Sequence, residues 1–249
     1  KREAEKELAE FYPKDADGAT PIAYLWARTI QCEGPGCGAE VPLIRSLWLT
    51  RKSNRPVALQ LVPDLKSKRV NFQIVVKTQD GWVNQSNHKV TITDPKVAGT
   101  VKRSSETCPC CGYTTPAERV REQFKGRRGG AHDARLTAVV TISNEQAGRS
   151  YRTPTDADEL AYAQAAGVLD ACLQEVTGMR PLPDEPLPYL RSIFNINLLD
   201  VNRWGDLFNS RQSIAMIVFQ RIVNARGNEL RVKSAEFGCA VAACLALAI

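Results

Sequence analysis

The chain has 249 residues, 43% of them hydrophobic and 24% charged, and its 33 Lys and Arg against 27 Asp and Glu leave a net charge of +6. This composition excludes a disordered tail, a collagen-like repeat and a disulfide miniprotein. No apolar run reaches the roughly 18 residues of a membrane span.

The elements follow in chain order. Ala4, Leu8 and Phe11 fall at helical spacing, which predicts an amphipathic helix over residues 1–12. Pro21 to Ile30 reads as a strand, followed by a Cys-containing turn at 32–38 and a return strand from Val41 to Leu49. Val57 to Val62 and Val70 to Lys77 are β-rich runs, the second with Val70, Phe72, Ile74 and Val76 alternating. Asp80-Gly81 marks a turn, and Val90 to Ile92 a further short strand. A second Cys turn sits at 108–112. A short helix is expected from Glu118 to Phe124, then a basic Gly-rich loop at 126–130 and a strand from Leu136 to Ile142. From there the pattern turns helical. Thr155 is the expected N-cap of a helix running to about Val176. A Pro-rich linker spans 180–188. Asn209 and Gln212 have capping-box spacing and open a helix through Ala225, which Gly227 breaks. The longest apolar run, Gly238 to Ile249, reads as a buried helix within a last helical stretch over about 232–249. The fold class is therefore α+β: a β-rich region with an N-terminal helix over 1–150, and a mostly helical region over 151–249. Residue 1 already lies inside a helical pattern, and the last segment lacks a stop signal. Both ends thus read as lying within a longer polypeptide. No secretory signal opens the chain, so a cytoplasmic location with reduced thiols is expected.

Charge is unevenly spread. Residues 44–77 carry 8 basic groups and one acidic group, Asp64, and residues 101–135 carry 8 basic and 4 acidic groups. Clustered Lys and Arg are the electrostatic footprint of phosphate binding. The candidate DNA contacts are Arg51, Lys52, Arg55, Lys66, Lys68, Arg69, Lys125, Arg127 and Arg128. For any one of them a solvated surface charge is the competing reading.

The eight cysteines contain two informative turns, Cys32-Glu-Gly-Pro-Gly-Cys37-Gly38 and Cys108-Pro-Cys-Cys111-Gly112. Each brings two thiols together with Gly after the second, where a tight turn is needed. Two such turns supply the four sulfurs of a tetrahedral Zn²⁺. The predicted ligands are Cys32, Cys37, Cys108 and Cys111, with Cys110 a bystander and Cys172 a helical core residue. Cys239 and Cys244 point about 140° apart on a helix and form no site together. A four-thiolate site has no open position, so the metal would be structural and coupled to folding. The competing reading is unrelated buried thiols.

Catalytic patterns are missing. His88 and His132 sit in no triad or metal motif. The sequence has no Gly-x-Ser-x-Gly elbow, P-loop or Gly-x-Gly-x-x-Gly, and Asp94-Pro95 is not followed by Pro-Tyr. No catalytic residue is assigned.

Five stretches carry a family resemblance: Pro21-Ile-Ala-Tyr-Leu-Trp-Ala-Arg-Thr-Ile-Gln-Cys32, Pro42-Leu-Ile-Arg-Ser-Leu-Trp-Leu49, Cys108-Pro-Cys-Cys111-Gly112, Tyr151-Arg-Thr-Pro-Thr-Asp156 and Arg203-Trp-Gly-Asp-Leu-Phe-Asn-Ser-Arg-Gln212. Together they resemble the large bacterial and archaeal adenine-specific DNA methylases that contain a zinc ribbon. The first Cys turn departs from the family's Cys-x2-Cys spacing. The cofactor and Asp-Pro-Pro-Tyr motifs are absent, so the chain resembles the inserted middle region between the catalytic halves. The resemblance implies a parent enzyme that moves a methyl group from S-adenosylmethionine to adenine in DNA. It also implies DNA, the rest of the methylase chain, and helicase or ATPase proteins of modification and phage-defence clusters as partners. Two functions compete: a DNA-recognition region, and a structural or protein-interaction module that braces the catalytic core. The Trp204-Gly-Asp206-Leu-Phe208 segment reads as a buried aromatic plug at a helix start, against a competing reading that puts Asp206, Arg211 and Gln212 near the DNA or the active site.

Overall fold

A computed structural model describes residues 2–51, 55–127, 133–143, 148–175, 180–188 and 196–246. The chain forms two compact units. One comprises residues 14–155 and 189–202, the other residues 1–13, 156–188 and 203–249. The fold is α+β, a β-rich first half followed by a helical second half. The division is less sequential than a single boundary near residue 150. The N-terminal segment belongs to the helical unit, and residues 189–202 belong to the β-rich unit. No helix among the described residues is long and apolar enough to cross a membrane.

The strands of the β-rich unit are β1 (Thr20–Gln31), β2 (Glu40–Pro42), β3 (Trp48–Thr50), β4 (Val57–Asp64), β5 (Arg69–Thr78), β6 (Gly81–Asn84), β7 (Lys89–Val90), β8 (Val101–Lys102), β9 (Ser105–Thr107), β10 (Thr114–Thr115), β11 (Ala134–Ile142) and β12 (Ser150–Arg152). Nine of these form one sheet in the order β12-β11-β1-β2-β5-β4-β3, with β6 on β5 and β7 on β6. The pairs are antiparallel except β2 with β5. The alternation in β5 is realised: Ile74 is buried, and Phe72 and Val76 pack with Leu47, Val57, Leu59 and Ala138. The remaining three strands make a small sheet, β10-β9-β8.

The expected strand from Val41 to Leu49 is split into β2 and β3. The interval takes other partners. Thr100 Oγ1 donates to Pro42 O at 2.5 Å and accepts the Ile44 N–H at 3.0 Å. The Leu47 N–H donates to Pro95 O at 2.9 Å. Gly99 is needed at this crossing, because a Cβ there would stand 2.4 Å from Ile44 O.

Helix α1 (Arg2–Leu8) belongs to the helical unit, and α2 (Ala117–Phe124) to the β-rich one. In the β-rich unit Val120 and Phe124 of α2 pack on Ile30. The helical unit is completed by α3 (Asp156–Gln174), α4 (Ser210–Lys233) and α5 (Ala235–Ala246). Its core joins Phe11, Ala165, Leu169 and Ile214, with Cys172 packed at the margin. The expected capping box is present: Asn209 Oδ1 accepts the Gln212 N–H at 3.1 Å, and Gln212 Oε1 accepts the Asn209 N–H at 3.0 Å.

Two helical expectations are corrected. Gly227 does not break α4, which runs on to Lys233. Its missing side chain serves packing instead, since a Cβ there would stand 2.9 Å from Ala242 Cβ on α5. The chain turns back at Ser234, and the apolar run is not buried. Gly238 is the buried residue of α5, whereas Phe237 is 61% exposed and Leu245 41%.

The Trp-Gly-Asp-Leu-Phe segment forms a 3-10 helix, Trp204–Leu207. Its ring does not plug the core: Trp204 is exposed, whereas Asp206 is buried and accepts the Arg203 N–H at 3.0 Å. Gly205 fits closely against Pro183, to whose carbonyl its N–H donates at 2.9 Å. Arg211 has a structural place. It is 2% exposed, Nη1 donates to Phe11 O at 3.1 Å, and the guanidinium lies 5.5 Å from the Tyr12 ring and 5.7 Å from the Tyr162 ring. A buried cation whose partner is removed, or a partner whose cation is removed, is costly. Arg211→Ala is therefore expected to lower stability by about 2–3 kcal/mol in urea unfolding. A loss no greater than that of an exposed Arg, such as Arg231→Ala, would contradict this packing role.

Candidate metal centre

The two Cys turns meet. Ligand atoms of Cys32, Cys37, Cys108 and Cys111 all lie within 4.8 Å of one another, and this group can hold a metal ion. Cys32 Sγ is 3.5 Å from Cys111 Sγ, and Cys37 Sγ is 3.9 Å from Cys108 Sγ. A tetrahedron of sulfurs about 2.3 Å from a central ion has edges of about 3.8 Å. The two measured separations straddle that value, and they are too long for S–S bonds.

Local sequence builds each turn. In the first, the Cys37 N–H donates to Gly34 O at 3.0 Å, which closes the chain over the longer spacing. The Gly34 N–H points at Cys32 Sγ, 3.3 Å away. Gly36 takes the left-handed backbone that this turn requires, with φ of 71°. In the second, the Gly112 N–H donates to Cys108 O and the Cys108 N–H to Tyr113 O, each at 2.9 Å. Gly112, at φ of 76°, reverses the chain into β10. Strand β1 delivers Cys32 and β9 delivers Cys108, so two different sheets place the two halves of the site.

Burial sets the electrostatics. Cys32 and Cys108 are almost fully buried against Ala39, Val41 and Val70. Burial pushes the Cys32 thiol up to about 12, while the Gly34 N–H pulls the other way. Burial also raises Cys108, opposed by the N–H groups of Cys111 and Cys110. Cys111 is exposed, and the Tyr113 N–H holds its thiol below the usual range. Thiolates in such a place need a cation, and a bound divalent metal releases their protons. Cys110 is half-buried and lines a cavity of about 240 Å³ beside the group, with Leu65 and Lys68. It lies outside the four-sulfur set. Glu106, fully buried on β9, has its carboxyl pushed up to about 7 by burial, with Thr115 acting against the shift.

The sequence-predicted cations scatter, and several are already engaged. Arg69 pairs with Glu40 at 3.3 Å and Lys125 with Glu122 at 2.6 Å. Arg127 donates to Thr29 O at 2.9 Å and stands 3.6 Å from Asp133. Lys68 Nζ approaches Gly36 O at 3.5 Å. Arg51 lies over the Trp48 ring at 5.5 Å. Arg55 and Lys66 are exposed. Lys52, Arg128 and His132 lie outside the described residues. Two cations that the sequence reading did not single out are better presented. Lys102 and Arg103 are exposed at the β8–β9 turn, with no ion pair among the described residues. Arg103 and Ser104 both have positive φ, 49° and 70°, as in the tight turns that suit hairpins. Their signal in the sequence was only membership of the second basic block.

Comparison of the chain with protein-family models, with curated proteins and with solved structures yields no match.

If these sulfurs bind one ion, Cys32→Ser and Cys108→Ser should lose bound metal, whereas Cys110→Ser and Cys172→Ser should retain it. Gly34→Ala tests the turn itself, because its Cβ would stand 2.8 Å from Tyr113 Cβ and 3.0 Å from Cys111 Sγ. It should weaken metal retention at least about tenfold in a chelator competition. Unchanged metal content in Cys108→Ser would rule out the site.

Proposed function

We propose that this chain is the zinc-ribbon, DNA-recognition region of an S-adenosylmethionine-dependent adenine-specific DNA methyltransferase of a modification or phage-defence system. The observation that carries the reading is the convergence of the two Cys turns on one point. Four thiolates with no oxygen or nitrogen ligand suit Zn²⁺, and a closed site of this kind braces the fold without taking part in a reaction.

DNA recognition is supported by what the metal would hold still. The β8–β9 hairpin ends at Thr107, immediately before Cys108, and presents Lys102 and Arg103 at its turn. Anchoring the end of a short hairpin at a metal fixes the position of both cations relative to the sheet. Phosphate contacts from such residues orient a protein on DNA and carry no sequence information by themselves. Methyl transfer belongs to the remainder of the enzyme, where the cofactor and Asp-Pro-Pro-Tyr motifs would lie. Family resemblance supports that assignment, and a helicase or ATPase of the same cluster is the protein partner it suggests.

A structural or interaction module is the second reading. The observation that favours it is α5, an apolar helix with one charged residue, Glu236, whose side chains are mostly exposed. Such a surface suits a protein partner.

DNA binding separates the two readings. The chain should bind duplex DNA weakly, with affinity falling steeply as salt rises, because each neutralised phosphate releases counterions. Replacing Lys102 and Arg103 with Ala should flatten the log–log salt slope by about 1.8, close to 0.9 per contact. Replacing the ion-paired Lys125 and Arg127 should change it less. Absence of binding at low salt would exclude DNA recognition and favour the interaction module.

A further inference from the structure

Two tryptophans stand on the face of the large sheet opposite its core. The register places them there. Trp48 on β3 opposes Ala58 on β4, and Ala58 opposes Val75 on β5. Trp82 on β6 opposes Lys77, two residues beyond Val75. Directly opposed residues, and residues two apart on a strand, share a face. Leu47, Val57, Leu59 and Ile74 occupy the other face and form the core.

The two indoles approach to 5.5 Å between ring centroids, with their planes inclined at 47°. Ala58 and Val75, which lie between them in strand order, are fully buried. Neither tryptophan is: both keep part of their surface in solvent. The main apolar cluster of this sheet lies on its other side.

Two cations border the pair. The Arg51 guanidinium lies 5.5 Å from the Trp48 ring. Lys77 is exposed and directly opposite Trp82. Lys89 on β7 opposes Val83, the residue after Trp82, and so belongs to the other face. Lys77 has no ion pair among the described residues, and its nearest acid in sequence, Asp80, sits in the turn before β6. Aromatic faces set among unpaired cations suit a ligand that alternates flat rings with negative charges. In a duplex the base faces are stacked on one another, so an indole can stack only on an unpaired base.

We propose that Trp48 and Trp82 form a stacking platform for an unpaired DNA strand, with Arg51 and Lys77 taking its phosphates. This rests on the reading that the chain engages DNA and names the form of DNA it holds here. The platform uses elements distinct from the β8–β9 hairpin, so the two surfaces can be tested apart.

The experiment is fluorescence anisotropy of the full chain with a labelled oligothymidylate and with a labelled duplex, at low and moderate salt. Oligothymidylate should bind more tightly than duplex and quench tryptophan emission. Trp82→Ala should weaken oligothymidylate binding about tenfold and leave duplex binding unchanged. Trp82→Phe, which keeps an aromatic face, should recover part of the loss. The exposed variant Lys77→Ala should reduce the single-strand salt slope by about 0.7. If duplex binds while both the Trp82→Ala and Lys77→Ala variants hold oligothymidylate as the parent does, the platform is wrong and DNA recognition stands. If neither nucleic acid binds at low salt, DNA recognition fails and the platform with it.

Discussion

Four thiolates held at one point repel each other, and burial makes Cys32 and Cys108 harder to ionise. Cys32 and Cys108 sit in an apolar environment with Ala39, Val41 and Val70, where only a cation makes the charged form favourable. The β-rich unit is arranged around that requirement. One pair of ligands leaves the end of β1 in the large sheet, and the other follows β9 in the small one. The small sheet has strands of only two or three residues, too short for independent stability. A metal ion tying its exit to Cys32 and Cys37 would supply the order that its own hydrogen bonds do not.

The same constraint bears on charge. A basic block in the sequence counts groups and ignores pairing. In the folded chain Glu40 takes Arg69, Glu122 takes Lys125, and Asp133 takes Arg28 together with Arg127. These cations are part of the fold's own electrostatics. Cations with no ion pair among the described residues stand at turns and outer strand positions: Lys102 and Arg103 on the hairpin that leads into Cys108, and Lys77 beside the paired tryptophans. Strand register, not composition, selects them.

Much of the architecture was legible because its signals are local. Cys spacing followed by Gly identified both turns of the four-sulfur cluster, the alternation from Val70 to Val76 identified β5, and Asn209 with Gln212 identified the start of α4. The errors have tertiary causes. Residues 43–47 look like a continuing strand, yet they turn to satisfy Thr100 and Pro95. Gly227 looks like a stop, yet it serves close packing of Ala242. The apolar α5 looks buried, yet within its unit only one side meets α4, marked by Gly238. The pairing of Trp48 with Trp82 was not legible at all, because 34 positions separate them and the sheet register brings them together.

The central claim is that one ion, held by four thiolates, organises the β-rich unit. It is tested most directly by titrating the purified chain with a mercurial thiol reagent while released zinc is recorded with a chromogenic chelator. The account predicts about one equivalent of zinc per chain, released only as the four protected thiols react, with loss of β-sheet signal in step. Folded protein that releases no metal, or loses it without any change in the sheet, would contradict it.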